Sequence, residues 1–182
     1  TNSRILDLEY INLENQANVG VNKEESIPGV KISFIPKNQT EPRILYYFSA
    51  ELDNRQLSNN FAISEFIGKA DKLVTYLNTA AYSLYQEDFT QMKNLILTQS
   101  NYLLQDDSGM PIEAFDRDNW DLKFYGKYTQ PIALFNKYYQ PDLRRVYELD
   151  DDIVPLSFDI GYPTDEARSN LMLARNKKAI DD

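Results

Sequence analysis

The hydrophobic pattern changes twice along the chain, and the order of these changes constrains the fold more than any other feature. Val30, Ile32 and Phe34 alternate with polar residues, which is the two-residue period of a half-buried strand. Residues 64–104 then carry apolar side chains at helical spacing, and "NWDLKFYGKY" from residue 119 returns to alternation. Strands followed by helices and again by strands predict the α+β class. We expect an antiparallel sheet, formed by N- and C-terminal strands, packed against a central helical hairpin.

The central segment is predicted to hold two helices joined by a short turn. The first begins at Ser64 and covers "EFIGKADKLVTYLNTAAYSLYQ". The second begins at Asp88, which stands three residues before Gln91, the spacing of a capping box, and runs to residue 105. This hairpin is the helical layer of the expected fold.

The flanking segments are predicted as strands and one short helix. "RILYYFSAEL" at residues 43–52 is a continuous apolar run, typical of a strand that is covered on both faces. It is expected to pair with residues 30–35 as a β-hairpin. Beyond the helical hairpin, a helix is expected around residues 142–149 and a strand at residues 154–162.

Two segments fit both a helix and a strand, and the pattern leaves them open. They are "SRILDLEYINLENQ" from residue 3 and "TDEARSNLMLARNKK" from residue 164. The chain length of 182 residues suits one domain. We therefore predict a single domain over residues 1–182. Residues 1–42 are also compatible with an N-terminal extension or with the end of a truncated region.

Two absences from the composition exclude many kinds of chemistry. The chain contains no cysteine, hence no thiol nucleophile, no thiolate metal site and no disulfide framework. It also contains no histidine, hence no Ser-His-Asp triad and no ordinary zinc site. No cofactor, metal ligand or catalytic residue is predicted. Whether the protein is an enzyme stays open, with the non-enzymatic interpretation favoured.

The charge and hydropathy of the chain limit its partners. A net charge of −9 repels phosphate backbones, so nucleic acid is not an expected partner, although the same charge also serves solubility. No apolar run approaches the roughly 18 residues of a membrane span. Asp150–Asp152 lack the alternate spacing of a calcium loop and are interpreted as a solvated acidic loop.

The clearest candidate site is the loop Asp106–Pro111, which follows the second predicted helix. Asp106, Asp107 and Ser108 offer oxygen atoms to a ligand, a cation or a reacting group. The structural alternative is that Gly109 and Pro111 end the helix, while the side chains bond to nearby amides. That alternative leaves two carboxylates at the negative end of a helix dipole, which is unfavourable. Both interpretations remain open.

Tyrosines supply the other candidates. Tyr125 and Tyr128 belong to a chain with 13 tyrosines, and the flat ring and polar hydroxyl of tyrosine suit carbohydrate, peptide or protein surfaces. The alternative is that aromatic residues simply favour strands. The predicted ligand-binding residues are therefore Asp106, Asp107, Ser108, Tyr125 and Tyr128.

Four stretches together resemble an uncharacterised family of secreted or envelope-attached bacterial proteins. They are "ILYYFSAEL", "LLQDDSGMPIEAF", "WDLKFYGKYTQPIALF" and "VPLSFDIGY", which carry FS[AG], DDSG[IM]P and YGxYxxPI motifs. The likeness spans about residues 44 to 175, and it is looser in the fourth stretch, where Ser157 stands inserted before Phe158. It implies a secreted, periplasmic or cell-surface location, with a signal or anchor segment removed. It also implies that Asp106–Pro111 and Tyr125–Pro131 lie close together, and it assigns no activity.

The expected function is an extracytoplasmic binding or assembly module whose partner is a protein or a carbohydrate at the cell envelope. The alternative is a carboxylate-dependent hydrolase that acts on glycans, with Asp106 or Asp107 as the acid or base. A module stabilised by Ca²⁺ is a third possibility. The sequence specifies neither the ligand nor the oligomeric state.

Overall fold

A computed structural model describes residues 3–13, 26–59, 62–69, 73–77, 82–131, 133–156 and 169–180. Within these ranges the chain forms helices together with largely antiparallel sheets, so the predicted α+β class is confirmed. The chain divides into two compact units, Thr1–Lys69 and Ala70–Asp182. The single domain over residues 1–182 stays a prediction.

The first unit is a three-stranded antiparallel sheet with two short helices. Its strands pair in the order β1-β2-β3. They are β1 (Arg4–Leu13), β2 (Ile27–Ile35) and β3 (Arg43–Phe48), and the helices are α1 (Asn54–Asn59) and α2 (Ala62–Gly68). The structure thus resolves residues 4–13 as a strand and confirms the β2–β3 hairpin. Asp53 begins α1, because its Oδ1 accepts a hydrogen bond of 2.9 Å from the backbone N–H of Gln56.

The second unit is a four-stranded mixed sheet with two longer helices. The strand order is β4-β5-β7-β6, with β4 parallel to β5 and the other neighbours antiparallel. The strands are β4 (Leu73–Leu77), β5 (Ser100–Gln105), β6 (Trp120–Gly126) and β7 (Asn170–Asn176). The helices are α3 (Thr90–Gln99) and α4 (Pro141–Leu149), and short 3₁₀ turns cover Tyr82–Tyr85, Glu87–Phe89, Ile112–Ala114, Ala133–Tyr138 and Lys177–Ile180. Strand β6 and helix α4 agree with the predictions, and β7 shows that residues 170–176 are a strand.

The segment predicted as a helical hairpin is only partly helical. Helix α2 ends at Gly68, and β4 and β5 occupy two stretches that were expected to continue the helices. A short apolar run fits a helix and a buried strand equally well, and pairing with neighbours decides between them. Strand β5 is held on both sides, by β4 and by β7, so sheet pairing overrides the helical spacing of its residues. The chain passes from α3 into β5 at Ser100, whose φ of −83° and ψ of 127° are already extended.

The core of the second unit lies on one sheet and the elements that cover it. Leu103 of β5 and Ala174 of β7 are cross-strand partners, and both are fully buried. Other buried side chains around them are Met110, Phe115, Trp120, Phe124, Leu143 and Met172. Helix α4 is fixed to the sheet by Tyr147, whose hydroxyl donates to the carbonyl oxygens of Tyr125 at 3.0 Å and Leu171 at 3.3 Å.

The strand expected at residues 154–162 lies mostly outside the described residues, although Val154 forms an isolated bridge with Tyr125. In the part of the chain that the structure describes, no helix is both long and apolar enough to cross a membrane.

Candidate functional site

The loop Asp106–Pro111 follows a strand, which removes the electrostatic problem that the sequence posed. It leaves the end of β5, so its two carboxylates do not stand at the C-terminus of a helix, and the expectation of a preceding helix is wrong. The loop is closed by Gln105, whose side-chain amide donates to the Met110 carbonyl at 2.8 Å and accepts from the Met110 N–H at 2.9 Å. Gly109 lies so close to this amide that a Cβ there would stand 2.5 Å from Oε1 of Gln105. Glycine is therefore required by packing at this position.

Asp106 is used within the loop. Its Oδ1 accepts hydrogen bonds from the Ser108 N–H at 2.9 Å and from the Ser108 hydroxyl. Both residues are buried. This is the local turn chemistry of an aspartate that bonds to the backbone two residues ahead. The geometry gives Asp106 and Ser108 a structural role in shaping the loop.

Asp107 is bonded to groups that are remote in sequence. Its Oδ2 accepts from the Tyr82 hydroxyl at 2.7 Å, and its Oδ1 accepts from the Asn170 side chain at 2.8 Å. Its carbonyl oxygen accepts from the Tyr85 hydroxyl at 3.2 Å and from the Gln140 amide at 3.1 Å. Asp107 therefore ties the end of β5 to three other segments of the second unit.

Burial raises the pKa of the Asp107 carboxyl above its ordinary value, although the hydrogen bonds from Asn170 and Tyr82 oppose the shift. Burial and the neighbouring Asp107 also raise the pKa of the Tyr82 hydroxyl far above its ordinary value. Tyr82 thus stays a proton donor at every physiological pH. The pair resembles a carboxylate held by fixed donors, which is an arrangement that both structural and catalytic aspartates use.

An aromatic cluster surrounds the Asp107–Tyr82 hydrogen bond. The Tyr82 ring stacks on Tyr138 with 4.7 Å between the ring centroids and 9° between the planes. Phe135 and Tyr85 approach the same ring at 4.7 Å and 5.7 Å. Lys137 places its Nζ 4.7 Å from the Tyr138 centroid, and its contact lowers the pKa of that hydroxyl. The cluster packs around the ring of Tyr82, whose hydroxyl donates to Asp107.

Tyr125 and Tyr128 do not form an exposed binding surface together. Tyr128 is buried, with 2% of its surface exposed, and its hydroxyl accepts a hydrogen bond of 3.1 Å from the Gln140 N–H. Tyr125 is half-buried in β6. Gln140 also accepts from the Ile112 N–H at 2.9 Å, so this one residue connects the Asp106–Pro111 loop with the Tyr125–Pro131 stretch. The two stretches lie close together, as expected, but through interior hydrogen bonds.

The five predicted ligand-binding residues are thus placed in the interior or at its margin. Asp106, Ser108 and Tyr128 are buried, and Asp107 and Tyr125 are half-buried. Their role in ligand binding stays a prediction. Among the described residues, no three acidic side chains come together as a group that could hold a metal ion.

A different candidate surface lies on the sheet of the first unit. Cross-strand partners share a face of a sheet, so the register of β1, β2 and β3 defines which side chains lie together. We name this set the apolar sheet face. Its members are Ile5, Leu8, Tyr10, Val30, Ile32, Phe34, Leu45 and Tyr47.

The apolar sheet face is exposed. Tyr10 and Tyr47 leave 84% and 62% of their surface exposed, and Leu8 and Leu45 leave 50% and 53%. The prediction that residues 43–52 form a strand covered on both faces is therefore wrong. Strand β3 lies at the edge of a three-stranded sheet, and nothing described in the first unit packs over this side of it.

Of the charged side chains in the same strands, Asp7, Glu9 and Lys31 lie on the opposite face, whereas Arg43 pairs with Phe34 on the apolar one. Glu9 and Lys31 are cross-strand partners on the opposite face and form an ion pair of 3.2 Å, which raises the pKa of Lys31. On this face Phe66 of α2 also packs edge-on against Tyr46 and Phe48, each at 5.1 Å between centroids. The opposite face thus mixes charged side chains with the exposed Ile44 and Tyr46 and is partly covered by α2, whereas the apolar sheet face is open.

Sequence reasoning missed the partners of Asp107 and the exposure of the sheet. Tyr82 and Asn170 carry no motif, and Gln140 stands in an ordinary polar stretch, so no local signal identifies them. The alternation of Val30, Ile32 and Phe34 did indicate an apolar face. Whether such a face is covered depends on the tertiary structure, which alternation does not report.

Comparisons with protein-family models, with curated proteins and with solved structures give no match to this chain. The resemblance carried by the FS[AG], DDSG[IM]P and YGxYxxPI motifs therefore stays an expectation, and so does the location that it implies.

Proposed function

We propose that the protein is an extracytoplasmic binding or assembly module that contacts its partner through the apolar sheet face. The observation that carries this proposal is the exposure of large apolar side chains on one contiguous face of β1, β2 and β3. Contiguous exposed apolar patches on soluble proteins mark interaction sites, whereas single exposed apolar residues do not.

The hydrogen bonds of the second unit also support a contact surface on the first unit. In the conspicuous polar loop of the second unit, Gln105 bonds to the Met110 backbone. Asp107 accepts from Tyr82 and Asn170. Such a network fixes the loop and leaves few polar groups for a ligand. The proposed contact therefore lies on the first unit.

A second candidate is a carboxylate-dependent hydrolase, and a single feature favours it. The carboxyl of Asp107 has a raised pKa, which suits a general acid. Glycan hydrolysis also needs a second carboxylate, and Asp106 is engaged with Ser108. Incubation of the wild type and Asp107→Asn with a panel of polysaccharides, followed by a reducing-sugar assay, tests this function. Activity that is lost in the variant would support it, and equal product from both proteins would count against it.

The binding function is tested by capture with matched variants. Tagged wild type, a face variant with Leu8→Ser and Leu45→Ser, and a control with Leu134→Ser are mixed with the envelope and medium fractions of the source cells. Leu134 is 80% exposed and lies in the second unit, so the control removes an exposed leucine outside the face. We expect a component that binds the wild type and the control and is lost from the face variant. An identical set recovered by all three proteins would show that the face is not the contact surface.

A further inference from the structure

Two of the three paired rows of the apolar sheet face read the same from either edge of the sheet, and the third row, which is Ile5, Phe34 and Arg43, does not. Tyr10, Val30 and Tyr47 are cross-strand neighbours and form one row. Leu8, Ile32 and Leu45 form the next row. In both rows the outer strands carry the same residue type on either side of β2.

This symmetry makes the face complementary to itself. Suppose that a second copy is turned by 180° about an axis that runs along β2 between two facing sheets. Each β1 then lies over the β3 of the other copy, so Tyr10 meets Tyr47 and Leu8 meets Leu45. Ile32 lies near the axis and meets its own counterpart. A two-fold interface has this property, because the same patch serves both subunits.

The charge distribution favours the same partner. Each copy has a net charge of −9, which opposes association in general. The nearby acidic residues of the sheet, Asp7 and Glu9, lie on the opposite face by register. Arg43 is the cross-strand partner of Phe34, so it is a charged residue that lies at one end of the apolar face. Contact between two such faces therefore buries no carboxylate of the paired strands, and it lays Arg43 over Ile5 of the other copy at the end of the face.

The exposed area is sufficient for a specific dimer. Five of the eight members leave half or more of their surface exposed: Ile5, Leu8, Tyr10, Leu45 and Tyr47. An exposed aliphatic side chain contributes on the order of 100 Å² and a tyrosine somewhat more, so one face offers roughly 600 Å². Two facing copies would bury roughly 1,200 Å², which is the lower end of the range for stable specific interfaces.

We propose that the apolar sheet face is the interface of a two-fold symmetric homodimer, in which the sheets of two copies pack face to face. This inference rests on the proposed function and names its partner as a second copy of the chain. The resulting two-layer arrangement, with about 10 Å between sheets, is that of a β-sandwich.

Sedimentation equilibrium of the purified chain tests the proposal. We expect a dimer for the wild type at micromolar concentration and for the Leu134→Ser control. The Leu8→Ser, Leu45→Ser face variant should raise the dimer dissociation constant at least 100-fold, because each substitution occurs twice in the interface. A wild type that stays monomeric at high micromolar concentration overturns the dimer. So does a face variant that dimerises as tightly as the wild type.

Cross-linking tests the geometry, and the cysteine-free chain makes it simple, because one introduced thiol is unique. Facing sheets stand about 10 Å apart, which is too far for a disulfide but suits a short bismaleimide. Ile32→Cys should give a cross-linked dimer in high yield, whereas Leu134→Cys should give little. Equal yields from the two variants would overturn the face-to-face arrangement.

The two levels of the proposal fail in different ways. If the purified chain is monomeric but the face variant still loses a captured component, the second copy is excluded and the binding function is retained with another partner. If the chain is monomeric and capture does not depend on the face, both are excluded. Far-ultraviolet circular dichroism of each variant checks that its fold is kept.

Discussion

The two units invert the usual distribution of polar and apolar side chains, each in its own way. The second unit buries Gln105, Asp106 and Ser108 and satisfies them by hydrogen bonds. The first unit exposes leucines, an isoleucine and tyrosines on one face of its sheet. The buried hydrogen-bond network of the second unit is costly to disturb and leaves few polar groups for a ligand. The exposed apolar face of the first unit contributes little to the stability of a single folded chain and is suited to contact with a partner. The proposed contact surface is therefore formed by exposed apolar residues, and the conspicuous polar residues serve the interior of the second unit.

The largest effect should come from the closure of the loop in the second unit. Gln105→Ala removes both partners of the Met110 backbone groups in a fully buried position, which should lower the free energy of unfolding by roughly 3–4 kcal/mol. Urea denaturation followed by fluorescence measures this well, because the single tryptophan, Trp120, is buried in the same unit. The control is Gln99→Ala at an exposed position, which should change stability by less than about 0.5 kcal/mol. Similar midpoints for the two variants would contradict a structural role for the loop.

A somewhat smaller loss is expected for Asp107→Ala. The substitution removes the acceptor of hydrogen bonds from Tyr82 and Asn170, at a cost of roughly 2–3 kcal/mol. Asp107→Asn keeps the shape and one acceptor oxygen, and its amide can donate to the Tyr82 hydroxyl, so it should lose less than half as much. The same fluorescence-detected denaturation compares them. If the alanine variant is as stable as the asparagine variant, the hydrogen bonds of Asp107 do not support the fold.

The elements that local periodicity predicts correctly differ from those that depend on distant residues. The α+β class, strand β6 and helix α4 follow from local periodicity, and each of these elements is decided within its own stretch of residues. Strands β4 and β5 are decided by their neighbours in the sheet, which periodicity does not contain. Asp107 is joined to Tyr82 and Asn170 across 25 and 63 positions of the chain. A motif can mark Asp107 as unusual, but it cannot supply partners at that separation.

The pH dependence of stability tests whether the carboxyl of Asp107 is desolvated in the folded state. Its folded pKa is raised above the ordinary 3.8. The protonated form is thus favoured in the folded state, so its stabilising contribution is present below pH 3.8 and is lost as the pH rises through the folded pKa. Relative to Asp107→Asn, the wild type should therefore gain stability as the pH falls from neutral to just below 3.8.

Asp121 provides a control of opposite sign. Its pKa is lowered by the hydrogen bond from Arg175, so its contribution is present above pH 3.8 and is lost as the pH falls through the folded pKa. Relative to Asp121→Asn, the wild type should keep its advantage down to about pH 3.8 and lose it below that pH, as the pH falls through the folded pKa. Urea midpoints at several pH values measure both trends. A flat difference between the wild type and Asp107→Asn would show that this carboxyl is not desolvated.

The smallest effect on folding should come from a substitution on the apolar sheet face. This prediction tests most directly the contrast between the buried polar network of the second unit and the exposed face of the first. Tyr10 is 84% exposed, so Tyr10→Ser removes little buried area within one chain and should change the free energy of unfolding of the monomer by less than about 0.5 kcal/mol. Thermal melts by circular dichroism at a concentration low enough to keep the chain monomeric measure this. The same substitution should lower the melting temperature at high concentration, where the wild type gains stability from association. A loss of several kcal/mol at low concentration would mean that Tyr10 is covered within its own chain, and the contrast between the two units would then disappear.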